Sequence, residues 1–317
     1  MTTTTTAPRP TLDPTAENAG RVDVTVVLPC YNEVGHVVAE LERISEALDA
    51  SGYTYDLDAY DDRSSDGTRE LLAEVAASGR FPRLRYFPRA RNGGSGTIRR
   101  IGSRDARGDI VVWTDADMTY PNDRIPELVD LLRNDDAYDQ VVGARTTEEG
   151  TYKLLRVPAK WMIRKIAERL TGTRIPDLNS GLRAFRREVS LPYLGLLPPG
   201  FSCVTTLTVS FLANGHDVRY VPIDYAKRAG RSKFHFTKDA YRYILQVLRM
   251  VMYFNPLKVL MPLALWILAL GSLKLGYDLV WHHFRVTGIT LLTLVTGFQI
   301  AALALIADLI VRSRPQA

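Results

Sequence analysis

From residue 22 onward, short apolar runs that end in polar clusters alternate with stretches whose apolar residues fall at helical spacing. Val24-Thr25-Val26-Val27-Leu28 reads as a strand leading into Pro29-Cys30-Tyr31-Asn32-Glu33, and Val37, Leu41, Ile44 and Leu48 then share one helical face. A second strand, with Tyr55, Leu57 and Ala59 alternating, ends in Asp61-Asp62-Arg63-Ser64-Ser65-Asp66-Gly67-Thr68. There Ser65 or Asp66 would cap the helix carrying Leu71, Leu72 and Val75. A third strand at 84–87 precedes Arg91-Asn92-Gly93-Gly94-Ser95-Gly96 and another helix, and a fourth, Ile110-Val111-Val112-Trp113, runs into Thr114-Asp115-Ala116-Asp117. A helix over about 123–133, a fifth strand over 140–144 followed by Arg145, and a last strand signal at 218–225 complete this part. Such alternation, with polar signals at strand carboxyl ends, predicts an α/β fold: a mostly parallel sheet with helices on both faces and a ligand crevice along that edge.

The pattern then changes. Residues 237–254 read as an amphipathic helix with Arg242, Gln246 and Arg249 on one stripe and Tyr241, Ile244, Leu245, Leu248, Val251 and Met252 opposite, the form of a helix lying in a lipid interface. Residues 257–273 are apolar apart from Lys258 at the start and Ser272, roughly 26 Å of helix against a hydrocarbon core of about 30 Å. Extension toward Tyr277, with Lys274 snorkelling, makes up the deficit. Residues 286–307, interrupted only by Gln299, supply about 33 Å. The expected spans, about 257–277 and 286–307, form a hairpin through a short mixed link; two buried helices of a soluble core would give the same run lengths. Arg249 and Lys258 before the hairpin and Arg312 and Arg314 after it place both ends on the cytoplasmic side of a cell membrane. Residues 1–20, rich in Thr, Pro and Ala, have no apolar signal-peptide core and read as a disordered leader.

Composition changes the picture little. The formal charge of +5 is concentrated: residues 227–258 hold eight Lys or Arg against the single acid Asp239. With no helix-turn-helix, zinc-finger or RNP-like pattern beside it, this basic segment belongs with the apolar tail and not with nucleic acid. Cys30 and Cys203 make neither a disulfide framework nor a metal motif.

The candidate chemistry centres on Asp115 and Asp117. Side chains two apart on an extended segment point the same way, so the pair can converge on one hard cation if the chain stays extended to Asp117. Two such charges at about 4 Å repel by on the order of 4 kcal/mol at an effective dielectric near 20, which makes a divalent metal the natural third member. Taken alone, Asp-x-Asp fits ordinary loop acids better than a metal pair. The glycine loop at 93–96 has neither the dinucleotide nor the P-loop spacing. Arg156, Lys160, Arg164 and Lys165 share an expected helix, whose basic face could simply be solvated.

Four stretches nevertheless occur in the order and spacing of one family: Pro29-Cys30-Tyr31-Asn32-Glu33, Asp61-Asp62-x-Ser64-x-Asp66-Gly67-Thr68, Asp115-Ala116-Asp117 and Gly230-Arg231-Ser232-Lys233-Phe234. With Asn179-Ser180-Gly181-Leu182-Arg183 and the hairpin, the chain resembles the family 2 glycosyltransferases, in particular the branch that makes polyprenyl-phosphate sugars. The resemblance implies a GT-A fold over 21–233, a juxtamembrane region at 234–256, two spans within 257–312 and a cytoplasmic tail at 313–317. It further implies that Pro29, Tyr31 and Glu33 surround the nucleotide, that Asp62 lies by the base, and that Asp115 and Asp117 hold Mg²⁺ or Mn²⁺ against the donor diphosphate. Arg145 and Arg156 match basic positions that handle the donor diphosphate and the lipid phosphate, and Ser232 and Lys233 belong to a loop closing over the site. The partners implied are a UDP- or GDP-sugar, an undecaprenyl or dolichyl phosphate, the lipid bilayer and a further copy of the chain. Arg63 stands where the family usually has Gly, and Thr119 where many members have a Gln that assists the metal. A processive polysaccharide synthase is the rival enzyme, although it would carry a Gln-x-x-Arg-Trp motif and more spans; a silent sugar-nucleotide binder is the rival outside enzymes.

Overall fold

A computed structural model describes residues 21–146, 164–165, 167–169, 171–226, 252, 256–281 and 286–313. The chain divides into two compact units, 1–148 with 180–195 and 218–229, and 149–179 with 196–217 and 230–317. Arg156, Lys160, Ser232, Lys233, the expected interfacial helix at 237–254 apart from Met252, the leader and residues 314–317 lie outside the described residues.

The first unit is a seven-stranded sheet. In chain order its elements are β1 (Val22–Cys30), α1 (Val37–Ser51), β2 (Tyr55–Asp61), α2 (Thr68–Ala77), β3 (Leu84–Pro88), α3 (Ser95–Asp105), β4 (Gly108–Trp113), α4 (Ile125–Arg133), β5 (Gln140–Arg145), β6 (Arg183–Arg186), the short α5 (Arg187–Ser190) and β7 (Val218–Ile223). Spatial order is β3-β2-β1-β4-β6-β5-β7, and β6 alone runs antiparallel to its neighbours. The sheet is therefore mostly parallel, as expected. The antiparallel strand escaped sequence reading because Arg183-Ala-Phe-Arg186 has only four residues and two charges, too little for a periodicity signal.

Helices cover both faces. The predicted α1 face, Val37, Leu41, Ile44 and Leu48, is fully buried with Leu72 and Val75 of α2 against Val24, Val26 and Leu28 of β1 and Leu57 and Ala59 of β2. On the other face α3 comes so close that a Cβ on Gly102 would stand 2.5 Å from Val27 Cγ1. Asp56 and Asp58, between the apolar residues of β2, are buried in an ion-pair ladder: Arg107 grips Asp56, and Arg85 binds both oxygens of Asp58 at 2.7 Å.

The chain leaves β1 for β2 on one side, and β4 pairs parallel on the other, so the strand order reverses between β1 and β4. That is where open α/β sheets form a crevice beyond the strand ends. The register makes the opening visible: β1 follows β2 as far as Cys30 opposite Asp61, but its ladder with β4 stops at Val27 opposite Trp113. Pro29, with no N–H to give, sits beyond the β4 ladder and costs the sheet nothing on that side.

In the second unit, α6 (Cys203–Ala213) has Cys203 through Leu212 buried. Helices buried all round show no apolar stripe, which is why this one left no amphipathic signature. It is followed by α7 (Leu257–Trp281) and α8 (Gly288–Arg312), each 25 residues and about 37 Å long, sufficient in length and apolarity to cross a membrane. Large apolar side chains such as Trp266, Leu273, Val280, Ile289 and Phe298 are exposed, unlike those of soluble core helices. Where α7 and α8 meet, Gly271 and Gly297 let the helices close: a Cβ at either would press within 2.8 Å or 2.6 Å of Leu294 or Leu268. The link begins later than its mixed composition implies. Helix α7 continues to Trp281, and its buried Asp278 accepts hydrogen bonds from the Thr287 N–H (3.0 Å) and hydroxyl (2.8 Å), the Thr290 hydroxyl (2.6 Å) and Lys274 Nζ (3.2 Å).

Candidate active site at the carboxyl edge of the sheet

Two loops form one wall of the crevice. Past β1, Asn32 takes a left-handed conformation (φ 57°), its N–H donates to Ser64 Oγ, and its Oδ1 accepts from the Ser65 N–H. The Glu33 N–H donates to Thr68 Oγ1 and the Val34 N–H to Asp66. The Pro-x-Tyr-Asn-Glu and Asp-Asp-x-Ser-x-Asp-Gly-Thr stretches are thus a single zipped structure, which leaves Tyr31 39% exposed on its rim. Asp66 also accepts from the N–H and hydroxyl of Thr68. Burial raises its pKa, but those bonds outweigh burial and hold the carboxyl below its ordinary value. The expected cap is thereby shifted: Gly67, at φ 96°, occupies the N-cap of α2, and Asp66 reaches the first turn from one residue earlier.

Asp62 sits deeper than the other loop residues. Only 2% exposed, it accepts the N–H groups of Gly93 and Gly94 at 2.8 and 2.7 Å, pinning the glycine loop beside β2. The φ of 78° at Gly94 favours glycine there. Arg63, where the family has Gly, holds φ 63° on the surface. A left-handed non-glycine residue costs about 1–2 kcal/mol, part of which Gly returns as unfolded-chain entropy. Arg63→Gly is therefore expected to raise stability by about 0.5 kcal/mol in chemical denaturation.

The acid pair forms the opposite wall. Strand β4 ends at Trp113, so the chain is not extended as far as Asp117, contrary to the simple reading of the pair; it folds into a turn with Met118 left-handed at φ 59°. The cause is a buried carboxylate from α1. Glu40 accepts the Met118 N–H (2.9 Å) and Asn122 Nδ2 (2.7 Å), and Asn122 Oδ1 accepts the Thr114 hydroxyl (2.6 Å). Burial pushes the Glu40 carboxyl above its usual range, against the Asn122 and Met118 bonds and Arg43, which pull it down. Glu40→Gln must turn an amide N–H toward one of two donors. The expected cost is about 1–3 kcal/mol, read from the shift in thermal unfolding.

Asp115, with its side chain 28% exposed, pairs with Arg99 Nη2 at 2.8 Å. Asp117 is 7% exposed, and its Oδ1 accepts the Thr119 hydroxyl at 2.5 Å and the Thr119 N–H at 3.3 Å. Thr119 is thus occupied in orienting Asp117. Tyr120 donates nothing to Gly181 but accepts its N–H at 2.7 Å, and the Tyr120 ring meets Tyr225 edge-on at 5.0 Å. Burial raises the pKa of both phenols, with Asp115 among the added causes. Arg145, at the end of β5, lies 5.2 Å from the Tyr225 ring centroid. The structure therefore gathers Asp115, Asp117, Thr119, Arg145 and Gly181 in this unit, together with Arg99, Tyr120 and Tyr225, which the sequence reading did not single out. Arg164 and Lys165 are helical, with Lys165 paired to Glu168 at 2.7 Å.

The donor set suits a hard divalent cation. Among the described residues no three metal-ligating side chains cluster, so Asp115 and Asp117 would supply carboxylate oxygens and phosphate oxygens would complete the shell, the usual arrangement for Mg²⁺ with nucleotides. Gly181 keeps that approach open: a Cβ there would stand 2.8 Å from Asp115 Oδ2.

A mostly parallel sheet with an acidic turn at its switch point is the GT-A architecture, and solved structures share it. Glucosyl-3-phosphoglycerate synthase from Mycobacterium tuberculosis, in complex with Mn²⁺, uridine diphosphate and glucosyl-3-phosphoglycerate, superposes with a TM-score of 0.56 at 23% identity, covering 77% of this chain and 86% of that one. Residues 25–192 match glycosyl transferase family 2 and residues 255–313 match the GtrB C-terminal hairpin, and the chain belongs to glycosyl transferase family 2. Its relatives include undecaprenyl-phosphate 4-deoxy-4-formamido-L-arabinose transferases. The protein of that name from Aeromonas hydrophila is 31% identical over 215 residues, 67% of this chain and 62% of that protein. The one from Shewanella sediminis is 32% identical over 217 residues, again 67% and 62%. The matched region spans less than two thirds of these relatives' length.

Proposed function

We propose that the protein is a membrane-anchored glycosyltransferase that moves a hexose from a UDP- or GDP-sugar to a polyprenyl phosphate, undecaprenyl or dolichyl, with inversion at the anomeric carbon. The observation that carries this reading is the acidic turn at the switch-point crevice in a chain that also carries a hairpin of membrane-spanning length. The relatives named for undecaprenyl-phosphate sugar transfer support the acceptor, and the Mn²⁺–UDP complex of the mycobacterial enzyme supports the donor and metal. Tyr31, Pro29 and Glu33 line the nucleotide side, and Asp62 fixes the glycine loop that borders the base. Asp115 and Asp117 hold Mg²⁺ or Mn²⁺, which when bound neutralises charge on the departing diphosphate.

Arg145, Arg156, Ser232 and Lys233 serve the two phosphates. Their positive charge lets a phosphate nucleophile approach a phosphate leaving group. The acceptor oxygen is already ionised at neutral pH, so attack on the anomeric carbon needs no general base; the C–O bond to the diphosphate breaks as the new one forms. Basic residues on both flanks of the hairpin support a cytoplasmic catalytic domain with both termini on that side.

The test is incubation of the full-length protein with a panel of labelled nucleotide sugars, Mn²⁺ and polyprenyl phosphate. The expected product is a charged glycolipid plus nucleoside diphosphate. Glycan polymer would favour a synthase, binding without turnover a scaffold, and retained configuration would exclude direct displacement.

A further inference from the structure

Tyr225 is clamped against the acid turn. Strand β7 ends at Ile223, yet the chain beyond it stays with the turn, because the Ala226 N–H donates to the Thr119 carbonyl at 2.9 Å. The Tyr225 hydroxyl is bonded to that of Thr119. Thr119 gives its single hydroxyl proton to Asp117, so Tyr225 is the donor in that pair. A further hold comes from the buried Tyr120, whose ring meets that of Tyr225 edge-on at 5.0 Å. On the face of the ring so fixed lies Arg145, its guanidinium carbon 5.2 Å from the centroid. The sheet brings the two together: Arg145 stands opposite Ile223 in the parallel ladder of β5 and β7, and Tyr225 follows two residues later. An arginine side chain has many rotamers, and one that must meet a phosphate gains from a surface that fixes its plane. The face of a tyrosine does this by attraction to the ring and leaves the positive charge uncancelled.

We propose that Tyr225 is a positioning residue: its ring, fixed on the acid turn by Thr119 and Tyr120, holds the Arg145 guanidinium in place to meet a phosphate oxygen. The proposal rests on the reading of Arg145 as a phosphate-handling residue in glycosyl transfer. It predicts coupling between two side chains. Truncating the ring matters only while Arg145 is present, whereas a general loosening of the crevice costs activity with or without it.

The experiment is a double-mutant cycle on kcat/KM, run on the full-length protein in detergent with Mn²⁺, undecaprenyl phosphate and whichever member of a panel of UDP- and GDP-sugars the wild type turns over. Tyr225→Leu is expected to lose about tenfold in an otherwise wild-type chain and less than about twofold in an Arg145→Ala chain. Tyr225→Phe, which keeps the ring, is expected to stay within about threefold of wild type. Mn²⁺ uptake by Tyr225→Leu, followed by electron paramagnetic resonance, is expected within about twofold of wild type, since both acids remain. A folded Tyr225→Leu protein as active as wild type, or one that loses equally in both chains, overturns the proposal, as does a Mn²⁺ affinity lowered by about tenfold. Where Tyr225→Leu does not fold, or the double variant is too slow to measure, Tyr225→Phe decides: a loss of about tenfold there means that the hydroxyl and not the ring is what counts, and overturns the proposal. Wild-type protein that makes no glycolipid from any donor of the panel brings down the reading as a glycosyltransferase and this inference with it; the failures above leave that reading intact.

Discussion

Asp117→Asn lowers turnover by about a thousandfold or more while the thermal midpoint stays close to that of wild type. In the proposed reaction Asp117 anchors charge neutralisation on the leaving diphosphate, and its loss removes transition-state stabilisation of this order. The fold has little reason to notice. Asn is nearly isosteric, its Oδ1 still accepts the Thr119 hydroxyl, and the turn remains tied by Glu40 to Met118 and Asn122. Steady-state rates across a Mn²⁺ titration, beside a melting curve, provide the check. Activity near the wild-type level would remove Asp117 from the metal site.

Gly181→Ala produces the second large effect, by crowding instead of charge. Its Cβ would lie 2.8 Å from Asp115 Oδ2 and 3.1 Å from both Arg99 Nη2 and the Tyr120 hydroxyl, closer than side chains settle. Arg99 is enclosed and Tyr120 is bonded to the Gly181 N–H, so Asp115 must yield. The expected outcome is a loss of about a hundredfold in kcat/KM, with a stability cost of about 1–2 kcal/mol of the kind that overpacking causes. A variant within about fivefold of wild type would show that the position of Asp115 is not critical.

Much of the first unit could be read from residue order. The α1 face, the strand ends and the polar clusters follow from periodicities of 3.6 and 2, and these are local. What escaped was set by distant partners. Glu40 looks like an ordinary exposed acid on an amphipathic helix, yet it is buried because the turn after β4 needs an acceptor 78 residues away. Arg99 stands beside the exposed Arg100 and Arg104 on α3, and only the packing of α3 on Trp113 separates it from them. Tyr120 and Tyr225 gave no signal because their roles arise from meeting each other. Whether the chain stays extended through Asp115-Ala116-Asp117 was open for the same reason: the bend there is set by a buried hydrogen-bond network from Glu40 and Asn122.

The strand order also has a consequence for the sequence of events during synthesis. Strand β5 has only β6 and β7 as neighbours, and β6 is encoded about forty residues after β5 leaves off. Strands β1 to β4 can pair as soon as they emerge, but β5 must wait, since loop closure precedes any gain from distant pairing. Gly181 lies two residues before β6, so the acid turn acquires its neighbour only when that late strand inserts beside β4. A nascent chain halted near residue 150 would hold both acids and the zipped loops after β1 and β2, yet lack Gly181 beside the acid turn. Completion of the site is thus timed to the arrival of the sheet's single antiparallel strand.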